Sequence, residues 1–261
     1  KGGYAAAAEG IAAGLHGLAV MTISTPHIVF GVASASLAAS ASAQDMAATV
    51  IRAAIKNAGK NITEKPPIIL VTPTIGIEQQ VLDGISQVVG NDAVILGGTA
   101  GGPNGMVIGN DSAWEKGVSL AVFYTDLPFG WTFESGFAKE DKYSGVVTKM
   151  AGRRIVEIDN LPAYDVYDKW LGGEVTRLRL QKGEPDIFRD FLSLHPLFRK
   201  VQSPDGSTYT IFSHPWAPNK NLITDGLYPT GNIKVGERVY LSYGTWEALL
   251  NRIGNLPVNA R

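Results

Sequence analysis

The sequence has no cysteine and almost no net charge. Its 261 residues include 23 Lys and Arg against 24 Asp and Glu, which gives a formal net charge of −1. The missing thiols exclude disulfides, thiolate catalysis and thiolate ligation of a metal or of haem iron. Because basic residues are not in excess, we expect neither nucleic acid nor an anionic membrane surface as a partner. The expected partner is therefore a small molecule or another protein.

A clean apolar segment near the start of the sequence is also lacking. The region from Tyr4 to Val20 is rich in Ala and Gly, but Glu9 and His16 interrupt it and no basic region precedes it. This pattern predicts neither a signal peptide nor a membrane span. We expect a cytoplasmic protein without a membrane partner.

The early part of the sequence predicts a strand followed by an amphipathic helix. Residues 28–32 are apolar and are typical of a strand, and apolar residues recur at helical spacing over residues 46–58. Ser42, three positions before Asp45, resembles a helix-capping pair, and Gly59 is suited to end the helix.

The next segment predicts a parallel βαβ unit. Residues 68–71 and 93–96 are apolar throughout, which is typical of strands buried on both faces, and the helical pattern between them stops at Gly90. Further strands at residues 106–108 and 118–124 are separated only by a loop, so we expect the sheet to become antiparallel there.

The second half of the sequence predicts more strands than helices. Strands are expected at residues 146–150, 154–158, 209–213, 222–224 and 238–243, and helices from Pro162 to Gly172, over 187–192 and over 246–253. The sequence thus predicts an α/β protein. It would have an N-terminal mixed sheet with βαβ units flanked by helices, at residues 1–142, and a C-terminal strand-rich α+β subdomain, at residues 143–261.

A glycine-rich turn follows the strand at residues 93–96. It consists of Gly97, Gly98, Thr99, Ala100, Gly101 and Gly102. Its glycine spacing is not that of a dinucleotide fingerprint, and Pro103-Asn104 stand where a P-loop needs Lys-Ser or Lys-Thr. No helical pattern follows to bind phosphate, so nucleotide binding is not expected. Two interpretations stay open: a backbone wall of a ligand pocket, or tight packing where the chain crosses the sheet.

Two histidines share a local pattern, because His195 and His214 each precede a proline. The proline keeps the backbone extended and can fix the direction of the imidazole. Each imidazole could instead simply bond a backbone group near the surface. A zinc site would need further ligands, whereas haem iron needs only one oriented imidazole in an aromatic pocket. Arg199 could bind a ligand carboxylate or form a surface bridge with Asp190.

Six sequence blocks are spread along nearly the whole chain. They are Gly2-Gly3-Tyr4, Gly97-Gly98-Thr99-Ala100-Gly101, Gly130-Trp131, Val147-Thr148-Lys149, Glu157-Ile158-Asp159-Asn160-Leu161-Pro162-Ala163-Tyr164-Asp165-Val166-Tyr167 and His195-Pro196-Leu197. In their order and spacing these blocks resemble the FIST domain family. The long block that begins at Glu157, together with Val147-Thr148-Lys149, is the most specific of them.

The resemblance implies N-terminal and C-terminal FIST sensory modules, as in prokaryotic signalling proteins, with a small-molecule ligand such as an amino acid. One branch of the family binds haem and senses nitric oxide, and here His195 or His214 would bind the iron. The resemblance also implies a signalling partner such as a histidine kinase or a cyclase, and neither is present in this chain. The family's first strand and helix have no counterpart before Gly2, so we expect part of the pocket to lie outside this sequence.

These observations lead to the hypothesis of a small ligand bound, without catalysis, in a cleft between the two subdomains. The candidate ligand-binding residues are Gly97, Gly98, Thr99, Ala100, Gly101, Trp131, His195, Arg199 and His214. One alternative is an enzyme built on Asp159, Asp165 or His195, and another is a pure interaction module.

Overall fold

The computed structural model describes residues 3–7, 10–14, 24–100, 105–109, 112–133, 135–139, 141–181, 185–202, 206, 208–216 and 222–259. The chain divides into two compact units, Lys1–Pro128 and Phe129–Arg261. The boundary expected at residue 142 separates the N-terminal from the C-terminal FIST-like subdomain, and it stays a prediction.

The N-terminal unit combines β-sheets with helices. Its strands are β1 (Gly3–Ala7), β2 (Gly10–Gly14), β3 (Ile28–Ser36), β4 (Ile68–Pro73), β5 (Val94–Gly97), β6 (Val107–Ile108), β7 (Ala113–Trp114) and β8 (Gly117–Thr125). Its helices are α1 (Ala43–Asn57), α2 (Glu78–Val89) and the short 3-10 helix Leu37–Ala39.

The main sheet of this unit is mixed, with the strand order β3-β8-β4-β5. Strands β4 and β5 run parallel and α2 connects them, while β8 runs antiparallel to both β3 and β4. Separate antiparallel hairpins are formed by β1 with β2 and by β6 with β7. The predicted βαβ unit and the change to antiparallel pairing are both confirmed.

One face of the mixed sheet packs against α1 and α2. Ile69 and Val122 on the sheet and Ile51 on α1 are fully buried in this core. Gly31 of β3 lies so close to α1 that an added Cβ would stand 2.1 Å from the carbonyl oxygen of Ala54. Only glycine therefore lets α1 lie directly on the strand.

Both ends of α1 follow the capping pattern expected from the sequence. The Ser42 Oγ atom accepts a hydrogen bond from the Asp45 backbone N–H (3.1 Å) and donates one to Asp45 Oδ2 (2.7 Å). Just beyond the other end, Gly59 has a φ of +71°, in the left-handed region that favours glycine. The predicted helix start and stop are confirmed.

The C-terminal unit has an antiparallel sheet covered by helices. Its strands are β9 (Ser144–Ala151), β10 (Arg154–Ile158), β11 (Leu161–Pro162), β12 (Leu197–Gln202), β13 (Thr208–Ser213), β14 (Pro215–Trp216), β15 (Tyr228–Pro229) and β16 (Arg238–Leu241). Its helices are α3 (Ala163–Trp170), α4 (Glu174–Leu180), α5 (Pro185–Leu194), α6 (Trp246–Asn259) and the short 3-10 helix Leu222–Asp225.

The main sheet of this unit has the strand order β11-β10-β9-β16-β12-β13, and each neighbouring pair is antiparallel. Tyr167 of α3, Leu197 of β12 and Val239 of β16 are fully buried in its core, and Phe188 and Leu192 of α5 pack with them. The predicted fold class, α/β with a strand-rich C-terminal part, is confirmed. None of the helices within the described ranges has both the length and the apolar character that a bilayer span requires.

The strand predicted at residues 222–224 is wrong. The 3-10 helix Leu222–Asp225 replaces it, and there the fully buried Ile223 accepts a hydrogen bond from the Gly226 N–H (3.1 Å). Leu227 then pairs with Ile155 of β10. The chain turns at this point because both Ile223 and Leu227 enter the same core, which their local sequence does not reveal.

The start of α3 also differs from the prediction. Pro162 was expected at the first helical position, but Leu161–Pro162 forms β11 and pairs with the end of β10, so the helix begins at Ala163. Helix α4 and strand β12 have no counterpart among the predicted elements. The pairing of β12 with β13 and β16 supplies the hydrogen bonds that make it a strand.

We expect Ser42→Ala to loosen the first turn of α1, because the variant leaves the Asp45 N–H without its side-chain acceptor. Loss of such a cap costs about 1 kcal/mol, so amides of the first turn should exchange with deuterium about fivefold faster than in the wild type. Ser86→Ala, in the body of α2, is the matched control and should not speed exchange in α1. Unchanged protection in Ser42→Ala would contradict the assignment of the cap.

Candidate ligand-binding site

The glycine turn of the N-terminal unit begins at the end of β5, beside β4. An added Cβ on Gly97, which has a φ of +150°, would stand 1.8 Å from the carbonyl oxygen of Val71. The turn continues along β4, because the Ala100 N–H donates to the Pro73 carbonyl (2.8 Å). At Gly97, contact with the neighbouring strand is thus enough to require glycine. Gly101 and Gly102 lie outside the described residues.

A carboxylate lies next to this turn, at the first turn of α2. Glu78 accepts hydrogen bonds from the backbone N–H of Gly76 (2.8 Å) and from the hydroxyl of Thr99 (3.2 Å). A helix N-terminus is where a phosphate would bind, and here the negative charge of Glu78 already lies at that position. This arrangement agrees with the exclusion of a phosphate cradle. Gly98 and Thr99 are exposed.

In the C-terminal unit, His195 is fixed by the helix that precedes it. Its Nδ1 atom lies 2.7 Å from the Phe191 carbonyl oxygen, and its ring centroid lies 4.2 Å from that of Phe191. Because a carbonyl only accepts, Nδ1 carries the proton of this hydrogen bond. No hydrogen bond to Nε2 occurs among the described residues, so in the neutral ring Nε2 is an available acceptor.

His214 lies near the same end of α5. Its imidazole is close to the Ser193 backbone and lies edge-on to Phe137, with ring centroids 5.4 Å apart. Its own backbone N–H donates to the hydroxyl of Thr230 (3.1 Å). Both His-Pro segments therefore lie at the end of α5, and the imidazole of His195 caps it.

Donors are present for three of the four carbonyls in the last turn of α5. The Phe191 carbonyl is bonded by the His195 imidazole, the Leu192 carbonyl accepts from the His195 backbone N–H (3.2 Å), and the Leu194 carbonyl accepts from Gly244 (2.8 Å). A helix leaves its last four carbonyls without intrahelical partners, so these contacts satisfy most of the helix end. A pattern that suggested ligand binding thus also has a structural explanation.

Burial lowers the pKa of both imidazoles below the usual value of 6.5, and the hydrogen bonds to backbone carbonyls oppose this effect only partly. Both rings are therefore neutral at pH 7. For His195, the neutral form leaves the lone pair of Nε2 free for a ligand.

His195 lines a cavity of about 330 Å³. We call it the His195 cavity, and its described lining residues are Lys142, Tyr143, Trp170, Leu171, His195, Leu241 and Tyr243. The side chain of Leu241 is buried and those of Trp170 and Leu171 are half-buried, while Lys142 and the two tyrosines are exposed at the rim. An apolar interior with a few polar groups around it is typical of small-molecule sites.

Sheet pairing brings the walls of this cavity together. Tyr143, just before β9, is held to the end of β16 because its carbonyl accepts from the Leu241 N–H (2.9 Å). The Ser242 N–H donates to the Pro196 carbonyl (2.8 Å), which places His195 beside the same end of the sheet. The cavity thus lies where β9 and β12 begin and β16 ends.

Tyr167 anchors the backbone of His195. Its hydroxyl donates to the His195 carbonyl (2.6 Å), and burial raises the pKa of this hydroxyl far above its usual range, so it remains a donor at every physiological pH. Sequence reasoning did not select Tyr167. Its position at the end of the long family-like block was the signal that could have found it.

Arg199 and Trp131 do not line the His195 cavity. Arg199 donates to Glu237 (2.6 Å), so the alternative bridge to Asp190 is wrong. The pairing of β12 with β16 explains this contact, because it brings Arg199 close to Glu237, the residue just before β16. Trp131 is 46% exposed in an irregular segment. The prediction that the glycine turn and His195 face one cleft stays a prediction.

The family-like block beginning at Glu157 forms a tight hairpin. Asp159 and Asn160 both have positive φ values (52° and 62°), as a two-residue hairpin turn requires. The Asp159 carboxylate accepts from the Val146 N–H (2.8 Å), and the Thr148 hydroxyl accepts from the Asn160 N–H (2.9 Å). These side chains therefore stabilise the turn.

The carboxylates considered for an enzyme have other surroundings. Asp159 holds the hairpin, and Asp165 is exposed in the first turn of α3. Neither is hydrogen-bonded to His195 in the part of the chain that the structure describes. Within those same ranges, no group of three or more His, Asp or Glu side chains is placed to hold a metal ion.

We expect the protein to become less stable as the pH falls below about 6.5. The pKa of both His195 and His214 is lowered in the folded state, so the unfolded state binds more protons in this range, and their contribution to stability, complete above pH 6.5, is lost as the pH falls through the folded pKa. Thermal unfolding between pH 7.5 and 5.5 measures the effect. The double variant His195→Gln/His214→Gln should flatten the dependence, whereas His27→Gln, at an exposed residue that caps no helix, should not.

Comparison with known families now adds to this geometry. The model of the FIST N domain matches residues 3–161, from β1 through the Asp159-Asn160 hairpin. No curated protein matches the sequence. The match covers more than half of the chain and contains the glycine turn and residues 157–161 of the hairpin block, so this protein belongs to the FIST family.

Proposed function

We propose that this protein is a sensory domain that binds a small molecule in the His195 cavity. The family is generally a small-molecule-binding sensory domain of signalling proteins. Within this chain, the observation that supports the proposal most is the imidazole of His195, which lines a cavity of about 330 Å³ and is held in place through Nδ1, so that Nε2 keeps its lone pair. A rigid polar group beside an apolar interior can orient a ligand.

The position of His195 also suggests how binding is transmitted. Its side chain is bonded to α5 through Phe191, and its backbone is bonded to α3 through Tyr167. A ligand that contacts the imidazole is therefore coupled to both α3 and α5. Its binding shifts the population of the protein towards the arrangement of these helices for which it has the higher affinity. A histidine kinase or a cyclase is the partner that we propose for this signal.

Filling the cavity should abolish ligand binding. In Leu171→Trp, the larger side chain occupies space in the cavity, so we expect a small molecule that accompanies the purified wild-type chain to be missing from this variant. Native mass spectrometry measures the bound mass directly. The control is Leu180→Trp, at an exposed residue of α4 outside the cavity lining. Equal occupancy in the two variants would refute the proposed site.

The site meets one requirement for haem binding and fails another. The imidazole is suitable, since Nδ1 is bonded to a carbonyl and Nε2 is available to iron. The cavity, however, is close to the lower bound of ligand pockets, about 300 Å³, and a porphyrin with its two propionates needs a larger slot. His214 packs edge-on against Phe137. The lining residues therefore do not fit haem.

Titration with haemin tests this conclusion. We expect the Soret band of added haemin to be the same with the wild type, with His195→Gln and with His214→Gln, because the His195 cavity is smaller than a porphyrin and the His214 ring packs against Phe137. A Soret shift that the wild type shows and one of these variants loses would establish haem binding instead.

A further inference from the structure

We propose that the His195 cavity selects compact aromatic carboxylates that also carry a hydroxyl or N–H donor, and that it discriminates against zwitterionic amino acids. This inference rests on the proposed function, because it names the ligand class of the same cavity. Three features of the lining carry it: its charge, its hydrogen-bonding groups and its aromatic walls.

Among the described lining residues, the charged side chain is that of Lys142, which is a cation. Lys142 lies at the rim with its Nζ atom 5.1 Å from the centroid of the Tyr143 ring. The described lining contains no carboxylate, and the neighbouring Asp141 is already paired with Lys200 (2.6 Å). A ligand carboxylate would find a counter-ion at Lys142, whereas the described lining offers no counter-ion to an α-ammonium group, and leaving a charge unpaired is costly.

The imidazole of His195 requires a donor from the ligand. Because Nδ1–H is used by the Phe191 carbonyl and burial lowers the pKa of the ring, Nε2 is the nitrogen of this lining residue that keeps a lone pair for a ligand. A ligand carboxylate offers only lone pairs and cannot satisfy it. A hydroxyl or an N–H elsewhere on the ligand can.

The walls of the cavity favour a flat, apolar body. Trp170, Tyr143 and Tyr243 are aromatic, and Leu171 and Leu241 complete the apolar surface. Aromatic rings pack well against such walls and bury a large area for little conformational freedom. A volume of about 330 Å³ suits a compact ring compound rather than an extended chain.

Calorimetric titration of the full chain with a small set of probes tests the ligand class. The probes are 3- and 4-hydroxybenzoate, benzoate, 4-hydroxybenzamide, tyramine and tyrosine. We expect one of the two hydroxybenzoates to have the lowest Kd of all the probes. Benzoate should bind about tenfold more weakly because it lacks the donor. The neutral benzamide should also bind more weakly, and tyramine and tyrosine, which carry an ammonium group, should bind weakest of all.

A charge-removing variant tests the role of Lys142. Lys142→Gln should raise the Kd for hydroxybenzoate about tenfold and abolish the preference over hydroxybenzamide. Lys169→Gln is the matched control, since it removes the same charge from an exposed residue outside the cavity lining. Leu171→Trp should abolish hydroxybenzoate binding.

The outcomes separate this inference from the proposed function. If tyrosine or tyramine binds as tightly as hydroxybenzoate and Leu171→Trp blocks it, the ligand class is wrong and the site stands. If hydroxybenzoate binds Leu171→Trp as well as the wild type, the inference about this cavity is overturned. If no probe binds, native mass spectrometry of the purified chain decides. A co-purified aromatic carboxylate supports the proposed ligand class, and any other co-purified ligand overturns that class. If no bound molecule is found either, both proposals are overturned.

Discussion

The hydrogen bond between His195 Nδ1 and the Phe191 carbonyl is the interaction on which the C-terminal unit's candidate site depends. The last turn of a helix leaves carbonyls without partners, and leaving a buried one unsatisfied costs about 1–3 kcal/mol. His195 removes that cost at Phe191, and the same bond fixes the tautomer and direction of its ring. The stability of α5 and the availability of Nε2 are therefore two consequences of one contact. His214, which follows β13, lies near the backbone of Ser193 at the same end of α5.

The sequence block that most resembles the family serves the architecture more than the chemistry. Asp159 and Asn160 make the tight turn, Thr148 and Asp159 bond backbone N–H groups across it, and Lys149 pairs with Glu157 (3.2 Å). At the far end of the block, the Tyr167 hydroxyl holds the carbonyl of His195. The block thus specifies a hairpin, a helix and the anchor of a site residue. A signature of this kind identifies a fold, and function still has to be argued from the cavity.

The glycine turn illustrates how packing and electrostatics together limit a site. Gly97 is required by the carbonyl of Val71 on the neighbouring parallel strand, and Glu78 brings a negative charge to the start of α2, where it bonds Thr99. An anion approaching this turn would meet a carboxylate already bonded to the local N–H group of Gly76. Gly97 therefore has a physical reason to be glycine that involves no phosphate, in agreement with the motif spacing of the turn.

The sequence by itself determined the elements whose causes are local. The cap of Ser42 on α1 and the stop at Gly59 follow from residues within a few positions of each helix end, and the parallel strands around α2 follow from their apolar runs. It failed where distant contacts decide: Ile223 turns into a 3-10 helix because it is buried in a core assembled from remote elements, and Arg199 takes Glu237 as its partner because β12 pairs with β16. The His195 cavity belongs to this second kind. Its walls come from four segments far apart in the chain, and only the pairing of β9, β16 and β12, with the capping of α5, places Lys142, Trp170 and His195 around one volume. Composition and spacing carry no record of such pairing, so tertiary structure alone decided which of the candidate residues share a site.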